Sequence, residues 1–344
     1  MSELSARLDQ AASETDFHGV VRLDRAGVTE VDRAYGLADR RHHVPMTVDS
    51  QLGIASGSKA MTALVVMALV ERGVWSLSTR ARDLLGSDLP LIGDDVTLEH
   101  LLAHRSGIGD YLDEESAEVE DYAMPISVHL LATTVQFLPV LDGHPTKFSA
   151  GERFSYCNGG YVVLALLAER VTGATYQDLV HDLVCQPAGM VDSGFFRSDD
   201  LPERAAVGYV DLDGRRLTNV FHLPVVGNGD GGLYSTTADV HRFWAALFDH
   251  RIVTGPTLQQ MLPRRSSSGP SPSDHGYGLG FWRPAAGDQV MLEGCDAGVS
   301  FRSVHDLVAG ATYTVISNTT DGAWPLARVM DAALVDPAGI SPRP

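Results

Sequence analysis

The chain has 344 residues, 44% of them apolar and 20% charged, enough for one large globular domain or two intermingled ones. Its formal net charge of −18 argues against nucleic acid as a partner, because such a surface repels a phosphate backbone. No apolar run approaches bilayer-spanning length, and the polar start over residues 1–9 lacks a secretory core, so a cytoplasmic protein without membrane contact is expected.

A short N-terminal helix is predicted first, then a strand from Phe17 to Leu23. Arg25-Ala26-Gly27 suits a turn, and Val28 to Tyr35 suits the returning strand. A loop from Ala38 to Gln51 leads to Ser56-Gly57-Ser58-Lys59. These residues open a run from Lys59 to Val70 that is apolar all round and closed by Gly73, the pattern of a buried helix. Residues three apart share a helix face, so the Ser56 hydroxyl and the Lys59 amine can meet. A serine is a weak nucleophile until a base takes its proton, and burial disfavours the ammonium form of a lysine. The helix N-terminus also favours negative charge developing beside Ser56. Ser56 equally suits a plain helix cap.

The middle of the chain reads as helical and loop-rich. Thr97 begins a partial capping box, with His100 where Glu is usual. His100 and His104 stand four apart, but no zinc-protease pattern accompanies them, so they read as structural rather than metal-binding. Before a helix from about Gly160 to Arg170 comes Phe154-Ser155-Tyr156-Cys157-Asn158. In extended backbone Tyr156 and Asn158 point the same way. A phenol can pass protons, and an amide can hold both a substrate and the lysine. The alternative is a core tyrosine followed by an asparagine cap. Gly231-Gly232-Leu233-Tyr234-Ser235-Thr236-Thr237 reads as a tight turn ending in a cap for a helix from Thr237 to Phe248.

Ser266 to Asp274 is rich in Ser and Pro and reads as a mobile surface loop. Beyond it, Tyr277–Trp282, Gln289–Leu292, Val299–Val304 and Ala309–Ser317 read as successive antiparallel strands, closed by a helix from Trp324 to Leu334. Leu292-Glu293-Gly294-Cys295-Asp296-Ala297-Gly298 is either a hairpin turn or a place where backbone approaches a ligand. In the second case the N–H groups of Cys295 and Ser56 can form an oxyanion hole. Strands at both ends around a helical middle predict an α/β (α+β) fold. Residues 1–84 and 265–344 are assigned to the sheet domain and 85–264 to a mainly helical domain, with the active site between them. Cys157, Cys185 and Cys295 lack metal-type spacing and read as thiols; the sequence carries no cofactor signature and no metal site.

Four segments, taken in order, resemble the class C beta-lactamase-like serine hydrolases, which include penicillin-binding peptidases, carboxylesterases, D-stereospecific peptidases and some acyltransferases. They are Ile54–Lys59, Leu98–Ile108, Phe154–Tyr161 and Gly231–Thr236. The resemblance covers roughly residues 15 to 335. It implies a five-stranded-type antiparallel sheet flanked by helices, with an all-helical insertion. It also implies Ser56 as nucleophile, Lys59 as its base, Tyr156 as proton shuttle and Asn158 as a substrate-positioning residue. One departure matters. Aligning Gly294 with the glycine of the third motif places Leu292 where a Lys or His is usual, with Glu293 between them. Leucine cannot bind a substrate carboxylate, so beta-lactamase and D-Ala carboxypeptidase activities are not expected. The expected activity is hydrolysis of a small ester or amide through an acyl-enzyme on Ser56. Glu293 and Gly294 are expected to contact the substrate, Glu293 drawing a cationic group. The alternatives are an acyltransferase using the same intermediate, or a binding homologue that has lost turnover. The sequence does not set the oligomeric state.

Overall fold

Val20 and Val21 are adjacent and fully buried, yet they join different cores. Successive strand side chains point to opposite faces, so one strand can serve two layers of helices. The computed structural model describes residues 2–115, 124–269, 271, 274–285 and 288–335. Among them, five long strands carry the main sheet: β1 (Gly19–Arg25), β2 (Val28–Tyr35), β6 (Gln289–Asp296), β7 (Val299–Asp306) and β8 (Ala311–Ser317). Three two-residue strands, β3 (Ser266–Ser267), β4 (Gly276–Tyr277) and β5 (Trp282–Arg283), extend one edge. The order is β2-β1-β8-β7-β6-β5-β4-β3, antiparallel throughout. The sheet is therefore assembled from both ends of the chain.

Helix α1 (Glu3–Glu14) and helix α6 (Ala323–Val335) cover one face, where Leu8, Val21, Val315 and Leu326 pack together. Helix α2 (Lys59–Glu71) lies on the other face, with α4 (Asn158–Thr172) against it. Every residue of α2 from Lys59 to Leu69 is buried, so the all-round apolar run corresponds to a helix enclosed on all sides. Gly73 ends it with φ +68. Its N–H reaches Val70 O, and the Val74 N–H reaches Leu69 O, the paired closure of a Schellman motif. Helix α3 (Leu98–Leu102) begins with the box read from sequence: Thr97 accepts from the His100 N–H, and His100 accepts from the Thr97 N–H. Helix α5 (Thr237–Phe248), from the stretch assigned to the helical region, packs against β1 and β8.

One predicted strand is broken. Tyr277 to Trp282 is two short strands folded back on each other, because Gly280 takes φ +88 between them. A Cβ at Gly280 would lie 2.3 Å from Ala63 Cβ, so the glycine also lets this turn close on α2. Part of the Ser266–Asp274 reading falls on residues 270, 272 and 273, outside the described residues; Ser266–Ser267 itself pairs with β4.

Candidate active site

Ser56 sits on a 3-10 turn, Ala55–Ser58, that feeds directly into α2. Side chains three apart eclipse on such a turn. Lys59 Nζ accordingly lies 2.9 Å from Ser56 Oγ. Ala55, immediately before the serine, is held at φ +45, a left-handed conformation that costs an alanine roughly 1 kcal/mol or more. The turn packs against β6. At the contact, a Cβ on Gly294 would stand 2.3 Å from Ile54 O and 2.8 Å from Ser56 N. Gly294 is thus a close-approach glycine, and the next residue, Cys295, lines the cleft beside Ser56.

Lys59 is only 1% exposed, and three oxygens surround its nitrogen. Besides Ser56 Oγ, it donates to Asn158 Oδ1 at 2.8 Å and to the Asp230 carbonyl at 2.6 Å. Asn158 is fixed in turn, because its Nδ2 donates to Leu112 O (3.0 Å) and Glu114 Oε1 (3.1 Å). The first turn of α4 is capped by its neighbours. Asp110 accepts from the Asn158 and Gly159 N–H groups at 2.6 and 2.8 Å, and Cys157 Sγ accepts from the Gly160 N–H. The cap is therefore Cys157 with Asp110, which leaves the Asn158 side chain available to the lysine.

The Tyr156 ring centre lies 4.9 Å from Lys59 Nζ. Burial pushes this phenol well above its ordinary value, the Glu114 charge adds to the shift, and the Ser56 hydroxyl nearby opposes it. The ring is stacked on His104 at 4.2 Å and runs parallel to Trp282 at 6.0 Å. His104 is fully buried at φ +53, and its Nδ1 accepts from the Cys157 N–H. Burial and the nearby Lys59 charge hold its imidazole well below its usual range.

Two cavities meet at Ser56. One, of about 320 Å³, is walled by Tyr111, Asn158 and Asp230; the other, of about 340 Å³, by Tyr156, Trp282 and Trp324. Asp110, Glu114, Asp230 and Asp296 line the first, and Asp230 also accepts from the Tyr111 hydroxyl. Burial raises Asp110 to about 6, opposed by its backbone N–H donors, and raises Asp296 to about 7, opposed by the Ala297 N–H. Asp230 is raised by burial and lowered in part by Lys59.

The residues read from sequence thus converge, with one addition at Glu293. Ser56, Lys59, Tyr156 and Asn158 form one cluster, and Gly294 and Cys295 flank it. Glu293 lines the second cavity from the α6 side of β6, and there Arg302 Nε donates to it at 2.6 Å while Arg302 Nη1 also reaches Asp331 at 3.0 Å. Its charge is compensated, so it is not the free carboxylate expected to draw a cation. Leu292 is buried in the core. The sequence reading passed over Asp110, Glu114, Asp230, Asp296 and Trp282. Two left a signal: Asp230 directly precedes the Gly231-Gly232 segment, and Asp296 follows Gly294 by two residues, on the same strand face.

The Beta-lactamase family model matches residues 4–328. The chain belongs to that family. It is similar to esterase EstB of Burkholderia gladioli, 31% identical over 309 residues, with 81% of this chain and 78% of that protein covered. It is also similar to penicillin-binding protein 4* of Bacillus subtilis, 28% identical over 80% of this chain; there it spans only 62% of the relative's length. The crystal structure of a penicillin-binding protein from Bacillus halodurans superposes with a TM-score of 0.88 at 33% identity, covering 94% of this chain and 99% of that one. This beta-lactamase-type fold contains, among the described residues, no helix long and apolar enough to cross a membrane.

Proposed function

We propose that the chain is a serine hydrolase that forms an acyl-enzyme on Ser56 and cleaves small esters or amides lacking a terminal carboxylate. One observation carries this reading: the partners of Lys59. Asn158 Oδ1 and the Asp230 carbonyl can only accept, so they take two of its N–H groups and hold Nζ 2.9 Å from Ser56 Oγ, within reach of the serine proton.

In the first step Ser56 Oγ attacks the substrate carbonyl as Lys59 takes its proton. The N–H groups of Ser56 and Cys295 receive the developing oxyanion. The bond to the leaving oxygen or nitrogen then breaks, and Tyr156, kept protonated by burial, supplies its proton. The Lys59 ammonium beside the ring stabilises the phenolate until the proton returns. Water repeats the sequence on the acyl-enzyme. The carboxylates around the first cavity, with Leu292 at the position a cation occupies in the family, disfavour acidic substrates.

Turnover of short-chain nitrophenyl esters tests the reading, with intact-mass detection of a fluorophosphonate adduct on Ser56. Ser56→Ala is expected to lower kcat by at least ~10³-fold, because the covalent route is lost. Equal rates in both proteins would refute it. The same acyl-enzyme supports transfer to an alcohol. The second cavity at Ser56 favours that variant, and formation of a new ester on adding an alcohol decides it.

A further inference from the structure

We infer that the cavity between Trp282 and Trp324 holds the leaving group of the substrate, and any alcohol that replaces it, and that it takes uncharged aromatic alcohols. This rests on the Ser56 acyl-enzyme reading and adds a direction to it. The two cavities share Ser56, Leu112, Glu114, Cys295 and Asp296 but differ in what else they hold: Asn158 lines only the first, and Tyr156 only the second. A proton donor must lie within about 3 Å of the atom it protonates, so the departing oxygen has to lie on the Tyr156 side. The acyl portion then extends past Asn158 into the cavity lined by carboxylates.

The walls of the leaving-group side set its chemistry. Trp282 runs parallel to Tyr156, 9° between the planes, and is braced edge-on by Tyr277 at 4.8 Å. Trp324 opens α6 on the same cavity, with the Arg302 guanidinium 5.5 Å from its ring centre. The same guanidinium pairs with Glu293 on this wall; Glu114 and Asp296, which also border the first cavity, complete its carboxylates. A flat ring placed between Trp282 and Trp324 meets aromatic surface on which it can stack, and the carboxylates beside it disfavour an anionic one.

The step balances as written. The Ser56 Oγ–acyl bond forms, the acyl–OR bond breaks, and R–OH leaves with the proton from Tyr156. For transfer, an incoming R′–OH occupies the same place. Its oxygen bonds to the acyl carbon, the Ser56 Oγ–acyl bond breaks, and the alcohol proton returns to Ser56 through Tyr156 and Lys59.

Acetate esters test this directly, because ethyl, cyclohexylmethyl and benzyl acetates all give the same acetyl-enzyme and differ only in leaving group. With the full-length chain, kcat/KM is expected to favour benzyl over ethyl acetate by about tenfold, the upper range of an aromatic contact, with cyclohexylmethyl between. Trp324→Ala is expected to reduce the benzyl-to-ethyl ratio by about fivefold, and Trp324→Phe to keep most of it. Benzyl alcohol added to turning-over enzyme should yield the transfer ester, and less of it in Trp324→Ala. The inference is overturned if acetyl-Ser56 forms, seen by intact mass, while the wild type shows no aromatic preference. It is equally overturned if Trp324→Ala lowers ethyl and benzyl turnover alike. Absence of any acetyl-Ser56 instead overturns the acyl-enzyme reading itself, and this assignment with it.

Discussion

The His104 imidazole lies face to face with the Tyr156 phenol, ring centres 4.2 Å apart and planes 29° apart. His104 thereby does two things at once. Its ring supports the tyrosine, and its Nδ1 holds the Cys157 N–H between Tyr156 and Asn158. The two roles separate by substitution. His104→Phe keeps a ring but loses the acceptor; His104→Gln keeps an acceptor but loses the stack. Both are expected to lower kcat by roughly 10- to 100-fold, since small misplacements of a catalytic group cost that much. KM should change little, and Ser56 should still label with fluorophosphonate. Wild-type kcat in either variant would show that the stack has no part in positioning Tyr156.

Gly294 is the narrowest point between β6 and the nucleophile turn. Gly294→Ala sets a methyl 2.3 Å from Ile54 O and 2.8 Å from Ser56 N, and backbone cannot yield as a side chain can. The N–H groups of Ser56 and Cys295 would be pushed apart, and kcat/KM is expected to fall by ~10²-fold or more. Far-ultraviolet circular dichroism should stay near wild type. An active Gly294→Ala enzyme would remove Cys295 from the oxyanion hole.

Because Arg302 compensates Glu293, Glu293→Gln should leave KM for amine-bearing and neutral esters within about twofold of one another. The loss appears instead in stability, ~1 kcal/mol by denaturant unfolding, as one member of a partly exposed ion-pair network is removed. A selective rise in KM for amine-bearing substrates would restore the binding role first read from the sequence.

The pH dependence of stability has two opposed parts. Asp296 and Asp110 have carboxyls raised to about 7 and about 6, against a usual value of 3.8. Above pH 7 the fold holds them ionised at a cost, and that cost is relieved as pH falls from 7 toward 3.8, where the unfolded chain also protonates. His104 has the opposite sign: its imidazole is depressed, so its contribution is complete above pH 6.5 and declines as pH falls below it. Asp296→Asn should therefore raise Tm at pH 8 by ~3 °C and have almost no effect at pH 4. A Tm increase of equal size at both pH values would place the carboxyl's effect in packing, not charge.

Local pattern and composition were enough for the elements near the nucleophile. The apolar run after Ser56 made α2 a buried helix, and three-residue spacing brought Ser56 and Lys59 together. Val28–Tyr35 and Thr237–Phe248 were legible because the Ala26-Gly27 turn before one and the Thr236 cap of the other are set by near neighbours. The break at Gly278–Gly280 was not, since the glycine's purpose is its approach to Ala63, more than two hundred residues earlier in the chain.

The sequence by itself determined that Ser56 and Lys59 meet, because the contact between them spans one turn and needs no distant partner. Only the tertiary structure decided how they are surrounded. The Asp230 carbonyl on Lys59, His104 under Tyr156, Arg302 on Glu293 and the two cavities at Ser56 are all meetings of segments far apart in the chain. Whether a carboxylate is paired, and which acceptors surround a lysine, depends on what folding brings within hydrogen-bond distance, and residue type alone does not specify that.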